Sequence, residues 1–470
     1  MLPCPDNNAV EGGNVVSNDP REIISKSSMT RFQIFAVAIT IALNALDGFD
    51  VLSISIAGSG IREEWGLGAD ALGFVLTMEL IGMAIGSVVL GGVADKIGRR
   101  PMMLGCLIVM ASGMFMVTTT TSIVVLSIWR VITGLGIGGM LAAINAVAAE
   151  YSNAKRKHLS VSLMSIGYPV GVVVGGLISA RLLQTFDWRS VFYLGAAMTA
   201  VLIPMVYFFV PETVHWLARK QPTGALEKIN HTLTRMGHPT ATALPEISHE
   251  ESKASVLDIF KPAFIATTLL VAGAYFFHIT TFYFVVKWVP TITVDFGFTQ
   301  PDGALALTWA MVGGALGGAT LGFLTLKYGI KGLTITTMVL STVLVILFGR
   351  TGPDLGAIYM LSFGCGFFTN AAIVGMYAIF AHAYPTHVRA TGTGFAIGTG
   401  RGGSVVGPVV AGFLFEGGVT LPNVALVLGF GSLIAAGLLV FLKLKEEPPE
   451  AVLAEQSEAE AEGQGEFAVG

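Results

Sequence analysis

The chain of 470 residues is 53% apolar and 12% charged, and 58 of its residues are glycine. Soluble globular proteins carry about 25% charged residues and about 7% glycine, so this chain cannot clothe a surface for water, which excludes a soluble enzyme. The balance of 27 basic against 31 acidic residues, a net charge of −4, leaves no basic excess for nucleic acid.

Residues 1–31 are polar and mixed in charge, without the apolar core of a secretory signal, and read as an N-terminal tail. A membrane helix needs about 20 apolar residues to cross about 30 Å of hydrocarbon. Six runs of that kind follow, near 32–56, 71–94, 101–119, 123–149, 159–182 and 189–210. A polar stretch, 211–262, is the only loop long enough to join two bundles. Six more runs follow, near 263–289, 304–327, 333–349, 356–381, 390–415 and 422–444, and an acidic tail, 445–470, closes the chain. The predicted fold is an all-α integral membrane protein of twelve transmembrane helices, in bundles 32–210 and 263–444. Cys4, Cys106 and Cys365 are too few and scattered for a disulfide framework or a metal cluster, and no metal or cofactor is expected.

An even number of spans puts both termini on one side. That side collects twenty of the 27 basic residues, against five (Arg62, Arg181, Arg189, Lys287 and Arg350) on the other, while Arg130 and Arg401 lie inside spans. By the positive-inside rule both termini are cytoplasmic. Lys287 with Trp288 reads here as an ordinary interface anchor.

Charge inside hydrocarbon costs at least a few kcal/mol, which makes intramembrane ionisable residues functional candidates. Asn44, Asp47 and Asp50 recur every three residues and share a helix face. Two carboxylates so close in a low dielectric repel, so the pair suits uptake and release of a proton. Arg401, between glycines, offers a planar fork for a substrate carboxylate, or else a partner for one of those aspartates. Arg130, placed towards the outer side, serves either proton coupling or a structural ion pair. Glu79 and His278 are further candidates for the substrate cavity. Phe277, Tyr283 and Trp309, as lid or stacking groups, and Asn370 and Tyr377, seven apart on one helix face, complete the candidate substrate contacts.

The halves repeat. At an offset of 231 positions Gly91, Lys96, Gly98 and Arg100 match Gly322, Lys327, Gly329 and Lys331. At an offset of 233, Tyr151, Arg156 and Gly167 match Tyr384, Arg389 and Gly400. Duplicated six-helix halves with a site at the midplane are transporter architecture. Gly91–Arg100 resembles the signature loop of the major facilitator superfamily. Arg130–Gly139 and Pro211-Glu212-Thr213 resemble its helix 4 and helix 6 motifs. In the signature, Gly91 and Gly92 should allow close helix approach, Gly98 a tight turn, and Asp95 and Arg100 should pair across the cytoplasmic gate. Asp95, Arg99, Arg100, Glu150, Arg156 and Arg389 are the expected gate charges, with Asp95 near the start of helix 11.

Within the superfamily, Asp47-Gly48-Phe49-Asp50 and the segment from Ala383 to Arg401 are similar to the aromatic acid/proton symporters. The resemblance implies an inner-membrane importer of aromatic carboxylates such as hydroxybenzoates, driven by proton influx and acting as a monomer in membrane lipid. It carries over Asp47, Asp50, Asp95 and Arg401 as important. The chain departs from that pattern at Leu141–Asn145, where a proline is expected, and in its acidic Glu79. The competing readings are a proton antiporter that exports an aromatic or drug-like compound, and a membrane sensor that moves nothing. An enzyme is not expected, because no metal cluster, Gly-x-Ser-x-Gly elbow or phosphate loop occurs.

Overall fold

A computed structural model of the chain describes residues 19–245, 256–325 and 327–444. The described residues are mostly helical, with one 3-10 turn at Val256–Phe260 and no strand. A short helix α1 (Pro20–Lys26) leads into α2 (Arg31–Trp65), α3 (Ala69–Ile97), α4 (Arg99–Thr118), α5 (Ile123–Glu150), α6 (Lys157–Leu182) and α7 (Arg189–Phe209). Two short helices, α8 (Val214–Lys220) and α9 (Ala225–Met236), come next. Then follow α10 (Ile265–Asp295), α11 (Gln300–Thr325), α12 (Ile330–Gly349), α13 (Leu355–Ala383), α14 (Thr386–Glu416) and α15 (Leu421–Phe441). The acidic tail lies outside the described residues.

Eleven of the twelve long helices have the length and hydropathy of a membrane span. The twelfth, α14, is diluted by Arg389, Arg401 and a run of glycines, yet it packs between α10 and α3. The helices outrun the apolar runs that announce them. α2 continues to Trp65 rather than ending near 56, α10 continues to Asp295 rather than 289, and α14 begins at Thr386 rather than 390. Charges end an apolar run without ending the backbone hydrogen-bond ladder.

Packing repeats with the sequence. α3 lies on α5 as α11 lies on α13, α2 on α6 as α10 on α14, and α4 on α7 as α12 on α15. With lipid outside, such pairs are held by close backbone approach. Gly82 and Gly86 abut the carbonyls of Val131 and Leu135, and Gly313 and Gly317 abut those of Phe363 and Phe367, so a Cβ at any of them would strike backbone. The repeat reaches single side chains. Tyr151 and Tyr384 each end a helix, and both are buried, with hydroxyls bonded to Pro211 O (2.6 Å) and Thr268 Oγ1 (3.3 Å). A Cβ at Gly91 or Gly92, in contrast, would meet no atom closer than 4.0 Å; the close approach expected of them falls about one and a half to three turns earlier, at Gly86 and Gly82.

The halves are pinned at the end away from the chain termini. There Arg62 pairs with Asp295 at 2.9 Å, and Glu416 accepts the Ala69 N–H at 2.8 Å. Gly73 lies against Pro408 and Gly412, and Gly176 against Thr308. Among the described residues, no ion pair at the opposite end joins the two halves.

Candidate functional site

Three acids and two bases are buried together where the halves meet. α2 supplies Asp47 and Asp50, 2% and 0% exposed; α3 supplies Glu79, α5 Arg130 and α10 Lys287, each fully buried. Arg130 pairs with Glu79 Oε2 and donates to the Asp50 carbonyl at 2.8 Å and to the Met114 sulfur at 3.2 Å. The guanidinium also lies 5.4 Å above the Phe192 ring. Arg130, seven residues in from the start of α5, is thus a buried, paired cation, and Glu79 is its partner within the N-terminal half.

Lys287 overturns its reading as an interface anchor. It crosses from the C-terminal half and donates to the Val51 carbonyl of α2 at 2.5 Å, within electrostatic reach of Glu79 and Arg130. Its neighbour Trp288 is buried too, donating to Pro408 O at 3.1 Å. The sequence signal was present, since a lysine in an apolar run is flagged by the rule that flagged Asp47. Ending the run at 289 placed it at the edge, whereas α10 continues two turns further.

Among the described residues no hydrogen-bond donor meets either carboxylate of the aspartate pair or Glu79 Oε1. Asp47 lies within electrostatic reach of Asp50 and Glu79. Asp50 faces α7, where a Cβ on Gly195 would come within 3.0 Å of its Oδ1. Asn44, expected beside them, turns away and donates to the Met164 carbonyl of α6 at 2.7 Å.

Opposite stands Arg401 of α14, half-buried, with no carboxylate in ion-pair range among the described residues. It therefore does not pair with Asp47 or Asp50. Its electrostatic neighbours are Tyr275 and Tyr283. The Tyr275 ring lies against Gly400, and its hydroxyl meets that of Tyr377 at 3.1 Å. Tyr283 and Tyr168 of the other half lie within electrostatic reach of each other. This tyrosine wall of Tyr168, Tyr275, Tyr283 and Tyr377 was seen in the sequence only at Tyr377 and, as a stacking group, Tyr283.

Other candidates are used by the protein itself. His278 has both ring nitrogens engaged inside the C-terminal half, with Ser432 Oγ at 2.8 Å and Thr369 O at 2.9 Å. Asn370 donates to Gly314 O at 2.7 Å and ties α13 to α11. Phe277 stacks edge-on with Phe276, its carbonyl turned to Gly431 of α15, and Trp309 is 45% exposed on α11.

The gate charges form a cluster shared by the N-terminal half and the linker that follows it. Asp95 pairs with Arg99 at 2.8 Å and with Arg219 at 3.0 Å, and Arg99 approaches Glu150 at 3.8 Å. Gly98 turns the chain at φ +107°, a conformation that favours glycine. The turn presents the Arg99 and Arg100 N–H groups to Glu212 at 2.9 and 3.1 Å. Burial holds the Glu212 carboxyl above its usual range, against the pull of those N–H donors and that of Thr213. Arg100 does not pair with Asp95; it donates to Tyr207 O at 2.6 Å. Among the described residues, Arg99 and Arg219 are the cations that Asp95 meets. Arg156 and Arg389 stay outside the cluster: Arg156 is exposed, and Arg389 reaches Tyr384 O at 3.3 Å.

Twelve spanning helices in two like-packed halves, with charge buried at their seam, define a secondary transporter. The sequence profile of the Major Facilitator Superfamily matches residues 37–288 and 271–465, and the chain belongs to that superfamily. It is a multi-pass membrane transporter, not an enzyme. It is 27% identical to a 4-hydroxybenzoate transporter of Pseudomonas putida over 83% of this chain and 88% of that one. It is 24% identical to a gallate transporter of the same species over 89% and 93%, and 26% identical to a 3-(3-hydroxy-phenyl)propionate transporter of Escherichia coli over 88% and 95%. Among solved structures, a bacterial homologue of the human lysosomal transporter Spinster, inward-facing and occupied, superposes with a TM-score of 0.70 at 14% identity, covering 88% of this chain and 97% of that one. A D-xylose-proton symporter superposes with a TM-score of 0.67 at 17% identity, over 87% and 98%.

Proposed function

We propose that the protein is a proton-coupled symporter that imports a small aromatic carboxylate by alternating access. It resides in the inner membrane with both termini cytoplasmic. The observation that carries the reading is the division of charge. Asp47, Asp50 and Glu79 outnumber Arg130 and Lys287 by one, so the buried cluster is neutral when it holds one proton. Arg401 is a cation with no carboxylate partner of its own among the described residues. A substrate carboxylate on Arg401 completes the balance, and tyrosine rings and hydroxyls beside it suit a hydroxylated ring. Relatives named for 4-hydroxybenzoate, gallate and hydroxyphenylpropionate transport support the same class. With the basic residues gathered on the side of the termini, the pinned end is the outer one, which makes this the inward-facing arrangement. An exporter of cations has no use for an unpaired guanidinium at the seam.

The test is binding of 4-hydroxybenzoate and its uncharged amide to wild type, Arg401→Lys and Arg401→Ala. A charge-assisted pair is worth roughly 1.5–3 kcal/mol, so Arg401→Ala should weaken the acid about ten- to hundred-fold. Lysine keeps the charge without the fork and should recover part of the loss. The amide should lose little. Equal losses for acid and amide would show that Arg401 only supports its helix.

A further inference from the structure

We propose that Lys287 is the coupling charge of the transport cycle. It is a cation of the C-terminal half that sits in the acid cluster of the N-terminal half while the outer mouth is shut, and that leaves its place there to a proton when the mouth opens. The inference rests on the proton-coupled reading above and names the residue that links proton to conformation.

Three observations lead to it. Lys287 is fully buried, and its ammonium is held by a main-chain carbonyl of the opposite half, Val51 O at 2.5 Å. The acid beside it, Glu79, is bonded to Arg130 through one oxygen only, and its Oε1 has no donor. Glu79 therefore stands between a cation of its own half and a cation of the other. Lastly, Lys287, Thr291 and Asp295 recur every four residues along α10, on the face that meets α2. Val51, Gly58 and Arg62 answer them, with Thr291 Oγ1 in contact range of Gly58 and Asp295 paired with Arg62. The contact holding Lys287 among the acids is thus the inner rung of the contact that closes the outer mouth.

Alternating access moves one half against the other. Separating α10 from α2 at the outer end breaks all three rungs and withdraws Lys287. The N-terminal half then holds Asp47, Asp50 and Glu79 against Arg130 alone, and its demand for protons rises by one. Closing the mouth returns the ammonium and expels a proton, which leaves on the cytoplasmic side. The other ionisable groups near Lys287 travel with one half or the other and do not change this count. On its own half these are Tyr283 and, at the far end, Asp295, with Arg401 and Glu416 of α14, Tyr377 of α13 and Asp302 of α11. Tyr168 of α6 and Arg62 of α2 belong to the opposite half. By reciprocity, protons must favour the outward-open state as much as that state favours protons.

The test reads conformation without substrate. A pair of labels on cysteines at Glu63 and Thr299, exposed positions flanking the outer mouth on opposite halves, reports its opening. The background is Cys4→Ser, Cys106 and Cys365 being buried. In the wild type the outer-open population should rise about five-fold or more from pH 8 to pH 5. Lys287→Met should abolish that response. Lys287→Gln, which still donates to the Val51 carbonyl, should abolish it too, and Lys287→Arg should keep it. Asp295→Asn, which loosens the same face without touching the central charge, should raise the open population at every pH and leave the response in place. A pH response that survives in Lys287→Met and Lys287→Gln overturns the role of Lys287 alone. A wild type with no pH response overturns the proton-coupled reading beneath it.

Discussion

The Arg130–Glu79 pair allows the energetics of the site to be measured. Both side chains are fully buried, and the guanidinium also holds the Asp50 carbonyl, the Met114 sulfur and the Phe192 ring face. Removing one partner of a buried pair strands the other, at a cost of about 3–5 kcal/mol. Arg130→Met should cost that much, because Glu79 would retain only Lys287, a cation of the other half. Glu79→Gln should cost less, since the amide oxygen still accepts from Arg130 and what is lost is the charge assistance. The double variant Arg130→Met with Glu79→Leu strands nothing and fills similar volume with apolar groups, so it should be more stable than Arg130→Met alone. With Glu79→Leu as the second single variant, the interaction energy from the double-mutant cycle should lie near the upper end of the 0.5–3 kcal/mol seen for residues in contact. The assay is reversible unfolding in mixed detergent micelles, read through thiol labelling of Cys106 and Cys365, which are buried and react only on unfolding. A Cys4→Ser background removes the remaining thiol. Additive costs, with an interaction below about 0.5 kcal/mol, would refute the pairing and with it the charge count on which proton coupling is built.

Three other outcomes are expected. Asp47→Asn removes the carboxylate assigned to carry the proton, so gradient-driven accumulation in proteoliposomes should be lost while substrate exchange survives; full accumulation would remove Asp47 from the proton path. Asp95→Asn breaks the pairs with Arg99 and Arg219 at the cytoplasmic end, far from Arg401. It should slow transport and leave substrate affinity within a few-fold, and the reverse pattern would remove Asp95 from the gate. Burial, with the charges of Arg21 and Lys157, pushes His215 down to about 4. The unfolded imidazole therefore binds protons that the folded one refuses between pH 6.5 and about 4, and stability should fall as pH drops through that window. The fall is at most about 3 kcal/mol at 1.36 kcal/mol per unit, and it should vanish from the unfolding curve of His215→Gln.

What was legible in the sequence follows from what each signal depends on. The fold was legible because a bilayer imposes its thickness on every span, and because two offsets, 231 and 233, recur at matching loops. Asp47, Asp50, Glu79, Arg130 and Arg401 were legible as intramembrane charges, a property of each residue alone. Their pairing was not, because it depends on which helices touch: Glu79 meets Arg130 through the glycine seam of α3 and α5, which no spacing announces. The partners of the gate were hidden for a different reason. Arg219 lies in the linker, more than a hundred residues from Asp95, and Glu212 was quoted in a motif without a role. His278 and Asn370 show the opposite error. A polar side chain in a span reads as a ligand for substrate, yet buried backbone carbonyls and hydroxyls need partners too, and these two supply them.

In the proposed cycle, the placing of the two seam cations lets one motion serve proton and substrate together. Lys287 and Arg401 lie on α10 and α14, and that pair is packed backbone to backbone, with Gly403 and Gly407 against the carbonyls of Phe276 and Thr280. Helices so closely seated move as one body, so neither cation can shift without the other. When the C-terminal half turns, Lys287 is carried into or out of the acids while Arg401 is carried from one face of the membrane towards the other. A substrate on Arg401 that arrives without a proton in the N-terminal half leaves one acid uncompensated at the seam for as long as the mouth is open. Closing brings Lys287 back among the acids, so the proton taken up while the mouth was open is released towards the cytoplasm as the substrate is carried there. Asp47, Asp50 and Glu79 all sit in the half that lacks Arg401, so no acid competes with the substrate for the guanidinium. Had the aspartate pair been on α10 or α14, Arg401 would be neutralised within its own half and the anion site would be lost.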